Sequence, residues 1–226
     1  AGLTPDGWRK RDEVPYDFDR KRLSVVLEDA DGGRLMVVKG AVDPVLALCG
    51  AVAQDDGEVP LDGPTLAAVR AYCDGEGRKG LRLLAVATRH PPVQPRYGAA
   101  DEVGLRLEGF LVFLDPPKPE AVAAIAGLGR MGVAVKVISG DNRHVVRHVA
   151  EQVGLAGELA TGAELAALRD DALQARAERV RLFAEIDPQQ KERLIRALRR
   201  RGHCVGYLGD GVNDAPALYA ADVGIS

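Results

Sequence analysis

Two aspartates four residues apart, Asp210 and Asp214, sit in the string GDGVNDAPAL with Asn213 beside the second. The glycines at 209 and 211 allow the sharp turn that would gather these oxygens at one point. Crowded carboxylates suit a small hard cation, and Mg²⁺ takes one or two of them together with water and phosphate oxygens. Two more aspartates close apolar runs, Asp115 in FLDPPK and Asp141 in VISGDN. Each alone would serve as a helix cap or turn residue; together they read as one acidic rim. SGDN adds a phosphate cradle, made of the Ser139 hydroxyl, the bare backbone of Gly140 and the N-terminus of the helix that follows. Lys191 in DPQQKERL stands in the first turn of a helix opened by Asp187-Pro188, where its ammonium can face the same rim and neutralise a phosphoryl group.

Groups this far apart in sequence meet only if the fold carries successive strand ends to a common edge. The second half of the chain has the pattern for that. Apolar runs at residues 109–115, 133–141, 180–186 and 204–210, and the terminal DVGIS, alternate with helical patterns at 119–131, 142–153, 164–179 and 188–201 and a short one after Asn213. The pattern predicts an α/β fold with a parallel sheet covered on both faces, whose ligands collect beyond the carboxyl ends of the strands. The first half differs. LSVVLE and RLMVVK flank DADGG as a hairpin, helices follow at 43–49 and 64–79, and LRLLAVATR supplies a third strand, which predicts an α+β domain with an antiparallel sheet. HPPVQPRYGAADEVG, residues 90–104, reads as a Pro- and Gly-rich loop beside a domain boundary. The expected division is 1–107 and 108–226.

With 226 residues, 28% charged and 46% apolar, the chain has the composition of a folded protein with room for two modest cores. A net charge of −3 with both signs mixed throughout gives no footprint for nucleic acid. Cys49, Cys73 and Cys204 have neither zinc-ligand nor disulfide spacing, and no run approaches the roughly 18 apolar residues of a membrane span, so the chain is expected to be soluble. His144 and His148 are spaced i, i+4, but without a third ligand they read as part of a solvated helix face.

LDPPK, SGDN after an apolar run, DPQQK and then GDGVNDAPAL resemble, in the same order along the chain, the phosphorylation domain of P-type cation-transporting ATPases, members of the haloacid dehalogenase-like superfamily with its Rossmann-like parallel sheet. PYDFDRKRLSVV, VVKGA and LRLLAVATR resemble segments of that family's nucleotide-binding domain, and several strings look most like the bacterial magnesium-transporting branch. The resemblance implies ATP as substrate and Mg²⁺ as cofactor. It implies that Tyr16 stacks on adenine, that Phe18 either shares this task or belongs to the core, that Lys21, Lys39 and Gly40 lie near the nucleotide, and that Arg82 pairs with phosphate. By the same resemblance Asp210 and Asp214 ligate Mg²⁺, Asn213 and Asp214 position the phosphoryl site, Ser139, Gly140 and Lys191 bind the transferred phosphate, and Asp141 and Asp115 support nucleotide binding and domain closure.

One departure matters. The family forms an aspartyl-phosphate on the carboxylate of a DKTGT motif, and no Asp-Lys dipeptide occurs in these 226 residues. The resemblance therefore implies that the nucleophile, the membrane and actuator domains and the transported cation's path belong to a longer parent at the cytoplasmic face of a membrane. The chain alone is expected to be inactive. A missing central strand would also leave sheet edges open to self-association. The alternatives are a noncatalytic nucleotide-binding module, or a soluble phosphatase of the same superfamily, which would need a DxD nucleophile that LDPPK does not supply.

Overall fold

The computed structural model describes residues 7–55, 57–209 and 214–226. They divide into two compact units, Ala1–Gly75 with Leu83–Phe113, and Glu76–Arg82 with Leu114–Ser226. The first unit thus runs past the boundary expected at Leu107.

In the first unit the turn between β2 (Arg22–Glu28) and β3 (Arg34–Gly40) is closed by Asp29, whose Oδ1 accepts hydrogen bonds from the backbone of Asp31 at 3.0 Å and Gly33 at 2.7 Å. That local bond sets the antiparallel register, Glu28 opposite Arg34 and Arg22 opposite Gly40. Alternation along β3 then drives Met36 and Val38 into a core with Val26, Ala85, Ala87, Leu105 and Leu107. With β1 (Arg9–Asp17), β4 (Cys49–Gln54), β5 (Gly57–Pro60), β6 (Leu81–Arg89) and β7 (Leu105–Leu114), they form a sheet in the order β1-β2-β3-β6-β7-β4-β5. The helices α1 (Val42–Leu46) and α2 (Gly63–Arg78) belong to the same stretch of chain. The sheet is mixed: β4 pairs parallel with β7, Cys49 opposite Leu105, while β1–β2, β2–β3, β3–β6 and β4–β5 are antiparallel. A parallel neighbour needs a long crossover, and β5, α2 and β6 intervene between the two strands. The run 109–115, expected in the second sheet, is instead the end of β7, because the strand begins at Leu105 and is already paired to β4 there.

The second unit has the expected parallel pairing. β8 (Val137–Ile138) and β9 (Leu159–Thr161) flank β10 (Leu182–Ala184), and β11 (Gly206–Leu208) pairs with β12 (Val223–Ile225), all parallel. The strands are two or three residues long, shorter than the apolar runs that contain them. Around them lie α3 (Pro119–Arg130), α4 (Arg143–Gln152), α5 (Gly162–Ala166), α6 (Asp170–Arg179), α7 (Pro188–Arg200) and α8 (Ala215–Ala220). On α7, Leu194, Ile195, Ala197 and Leu198 recur at helical spacing and bury against Phe183, Leu165, Leu173 and Ala217. The single helix expected over 164–179 is two. Arg193 breaks it: its guanidinium bonds the carbonyls of Leu165 at 3.3 Å and Leu168 at 2.7 Å and the Asp170 carboxylate at 3.0 Å, which satisfies the end of α5 and holds the start of α6. No helix among the described residues is long and apolar enough to cross a membrane.

Candidate functional site

Two loops of the second unit leave the carboxyl ends of parallel strands, and Asp214 lies beyond a third strand in sequence. The first follows β8. Ser139 donates its backbone N–H to the Phe183 carbonyl at 2.9 Å and accepts at its own carbonyl from Ile186 N–H at 3.0 Å, so the loop is stitched to the end of β10. Its hydroxyl donates to Asp141 Oδ2 at 2.8 Å and accepts from Asp141 N–H at 3.1 Å. Asn142 caps α4 by accepting from His144 N–H at 2.8 Å. A Cβ placed on Gly140 would come no closer than 3.4 Å to another atom, the Ile186 carbonyl oxygen. Packing therefore does not demand glycine there, and the exposed backbone suits close approach by an anion.

The second loop follows β10 and leads into α7. Asp187 and Gln190 form a reciprocal capping box, Gln190 N–H to Asp187 Oδ1 at 2.7 Å and Asp187 N–H to Gln190 Oε1 at 3.1 Å. That fixes the first turn carrying Lys191. Beyond β11 in sequence, Asp214 stands at the start of α8 and is 8% exposed. Lys191 Nζ donates to Asp214 Oδ1 at 2.6 Å, and the Tyr207 hydroxyl donates to the same oxygen at 2.8 Å. Burial, with the Asp214 hydrogen bond and charge adding to it, pushes the Tyr207 hydroxyl well above its ordinary value, so Tyr207 remains a proton donor at and above neutral pH. The sequence reading missed Tyr207; alternation within the short strand places it inward, between exposed Gly206 and Leu208.

Asp214 was expected as a Mg²⁺ ligand, yet one of its oxygens already answers an ammonium and a phenol, which suits it to orienting Lys191. Asp210 and Asn213 lie outside the described residues, and among the described residues no group of three His, Cys, Asp or Glu side chains is placed to hold a metal. The fit of Mg²⁺ therefore turns on Asp210. Arg82 and Asp115, expected beside the nucleotide, are joined to Asp141: Arg82 Nη1 meets Asp115 Oδ2 at 2.9 Å and Nη2 meets Asp141 Oδ2 at 3.0 Å. The guanidinium that was to meet phosphate is here shared by two carboxylates.

Glu185 was also missed. It stands in left-handed backbone, φ 60°, with its N–H bonded to the Asp141 carbonyl at 2.9 Å and its carboxylate forked on Arg143 at 2.9 and 3.0 Å. A non-glycine residue holds that conformation only where its surroundings impose it. His148 does not lie on a solvated face: it is half-buried over Gly80 and contacts Gln152 at 2.9 Å.

In the first unit the hairpin joining β1 to β2 displays Tyr16 and Phe18 edge to face, ring centroids 5.2 Å apart at 82°. They are 49% and 54% exposed, so Phe18 is not a core residue and each ring keeps exposed surface for stacking. Lys21 follows in left-handed backbone, φ 52°, and its carbonyl accepts from Ala41 N–H at 2.9 Å. Lys39 lies on β3 between Leu23 and Val86. Gly40 has a different reason from the expected one: a Cβ there would stand 2.4 Å from Arg22 Cβ and 2.5 Å from the Lys21 carbonyl oxygen. The space is filled by the neighbouring strand rather than kept for a ligand.

Beneath the hairpin lies Glu102, fully buried, from the loop that read as a mere boundary. Arg20, Arg22 and Ser24 all donate to its carboxylate. Burial alone would raise this carboxyl, but the hydrogen bonds from Ser24, Arg22 and Arg20 and the Arg22 charge outweigh it and hold it below the usual glutamate range.

Removing the Asp214 carboxylate leaves Lys191 unanswered in a site where both side chains are largely buried. Asp214→Ala should cost about 3–5 kcal/mol, read as a lower urea midpoint; a loss under about 1 kcal/mol would show that the pair is solvated. Because the native Glu102 pKa is lowered, its contribution to stability is complete above the unfolded value of about 4.3 and fades as pH falls through the native one. The stability gap between wild type and Glu102→Gln should therefore be widest near neutrality and narrow below about pH 4, and a gap independent of pH would contradict it.

Residues 52–222 match the haloacid dehalogenase-like hydrolase family. The chain is 45% identical over 221 residues to Magnesium-transporting ATPase, P-type 1 of Salmonella typhimurium, covering 97% of the chain and 24% of that relative. The corresponding protein of Escherichia coli is 44% identical, with 97% and 25% covered, and Cation-transporting ATPase pma1 of Synechocystis sp. is 37% identical, with 95% and 24% covered. The chain spans about a quarter of the length of these relatives. With parallel strands delivering Ser139, Lys191 and Asp214 to their carboxyl ends, the chain belongs to the haloacid dehalogenase-like hydrolases and, over nearly all its length, is similar to P-type cation-transporting ATPases.

Proposed function

We propose that this chain is the nucleotide- and phosphate-handling region, on the cytosolic side, of a P-type ATPase that couples ATP hydrolysis to cation transport, with magnesium as the ion. The observation that carries the reading is the Lys191 ammonium, in the first turn of α7 beyond the end of a parallel strand, fixed by Asp214, whose same oxygen accepts from Tyr207. Phosphoryl transfer is governed by positioning and charge neutralisation, and a pre-oriented ammonium supplies both. In the reaction a carboxylate oxygen outside these 226 residues bonds to the γ-phosphorus as the bond to ADP breaks. Water then cleaves the acyl-phosphate to phosphate and the free carboxylate. In this reading Ser139, Gly140 and Lys191 hold the transferred group, Asn213 and Asp214 position it, and Tyr16, Phe18, Lys21 and Lys39 meet the nucleotide. Mg²⁺, held through Asp210, supplies further neutralisation of phosphate charge when bound.

The test is fluorescence titration with trinitrophenyl-ATP. Binding is expected, and Tyr16→Ala should weaken it about tenfold, the scale of one lost stacking contact; unchanged affinity would remove Tyr16 from the site. With Mg²⁺ and labelled ATP the chain alone should form no acid-stable phosphoenzyme, because it has no Asp-Lys nucleophile. Hydrolysis of p-nitrophenyl phosphate by the chain alone would instead favour a soluble phosphatase.

Self-association belongs to the same proposal. Leu208, 77% exposed, and the half-exposed Val223 and Ile225 lie on the two-stranded β11–β12 sheet, an apolar edge open to another strand. Light scattering should give a mass that rises with concentration; a constant monomer mass would rule it out.

A further inference from the structure

A buried carboxylate bonded to two arginines is an expensive way to stabilise a hairpin. Desolvating each charge costs several kcal/mol, and well-packed apolar substitutes are often as stable or more so. What such a group does provide is one defined geometry, because a buried charge tolerates no other partner arrangement. The partners of Glu102 show which geometry is being defined.

Donors at positions 20, 22 and 24 converge on it. Arg20 Nη1 reaches both carboxylate oxygens, at 2.8 and 2.9 Å, Arg22 Nε reaches Oε2 at 2.6 Å, and the buried Ser24 hydroxyl donates to Oε1. The two arginines pass the constraint on. Arg20 Nη2 bonds the carbonyl of Pro15, the residue just before Tyr16, at 2.9 Å, and Arg22 Nη1 bonds the Arg20 carbonyl at 3.2 Å. Within the turn, Asp17 Oδ1 accepts from Asp19 and Arg20 N–H at 3.1 and 2.7 Å. That closes the turn on itself without fixing its direction relative to the sheet.

Glu102 is itself braced. Its neighbours Asp101 and Val103 receive the Arg89 guanidinium on their carbonyls at 3.0 and 2.8 Å, which ties the loop to β6. The Asp101 side chain accepts from Gly98 N–H at 2.8 Å and from Gln94 Nε2 at 2.9 Å. A chain of bonds thus runs from the middle of the sheet through Glu102 to both sides of the segment that bears Tyr16, Phe18 and Lys21.

We infer that Glu102 is a positioning residue, aiming the Tyr16–Lys21 turn at the nucleotide base through Arg20 and Arg22 without touching the ligand. The inference rests on the nucleotide reading of that turn. Its test uses the full chain with Glu102→Gln, which keeps the shape and removes the charge, and Glu102→Asp, which keeps the charge. In Glu102→Gln, amide hydrogen exchange of Asp19, Arg20 and Lys21 should accelerate at least tenfold more than that of the β3 amides of Val37 and Val38, which follow only the change in global stability. Affinity for trinitrophenyl-ATP should fall about as far as in Tyr16→Ala, and the double variant should lose little more, since both changes act through one ring. Glu102→Asp should recover part of both readouts. Unchanged turn exchange, exchange loosened evenly across the unit, or losses that add in the double variant would each overturn the inference. A wild-type chain that binds no nucleotide would sink the functional reading, while the exchange pattern would still decide whether Glu102 orders the turn. If Glu102→Gln does not fold, Ser24→Ala removes one donor and leaves all three charges, and the same selective loosening is expected of it.

Discussion

A charge carried into a folded interior has to meet its opposite at hydrogen-bonding distance, and both units are organised around that constraint. In the second unit Asp214 meets Lys191 and the Tyr207 hydroxyl; in the first Glu102 meets Arg20, Arg22 and Ser24. Each pairing joins segments well separated in sequence, so neither can form until the surrounding sheet is in place. In the first unit that pairing lies beneath groups that face solvent, the two aromatic rings on the hairpin above Glu102. Interior electrostatics and exposed chemistry are two ends of the same connections.

How much of this was legible beforehand depended on whether the determining contact was local. The β2–β3 hairpin, β6 at Leu81–Arg89 and the starts of α3 and α7 were readable, because Asp29, alternation, Pro119 and the Asp187-Pro188 cap act within a few residues. The loop carrying Ser139 and the helical first turn carrying Lys191 were readable for the same reason: strand end, turn or cap residue and helix start adjoin in the chain. The comparisons agree with the family that those strings resemble.

Contacts across long separations were not legible. Arg193 divides the α5–α6 segment from 23 residues beyond Asp170, and nothing within 164–179 announces a break. The assignment of 109–115 to the wrong sheet has the same origin, since pairing with β4 is decided by residues some fifty positions earlier. Arg82 read as a phosphate ligand because its string matched one; that its fork spans Asp115 and Asp141 depends on where two distant loops arrive. Glu102 was hidden inside a segment whose prolines and glycines proclaim only a loop.

The left-handed peptide at Glu185 has a mechanical consequence. A Cβ on Gly162 would lie 2.4 Å from the Glu185 carbonyl oxygen, so the twisted backbone is wedged against the start of α5 on one side and hooked to the Asp141 carbonyl on the other. Torsional strain of roughly 1–3 kcal/mol is typical of such a residue. Held between these two points, the peptide cannot turn to the right-handed region without giving up one of the contacts, so Glu185 braces the loop that carries Asp141 against the start of α5.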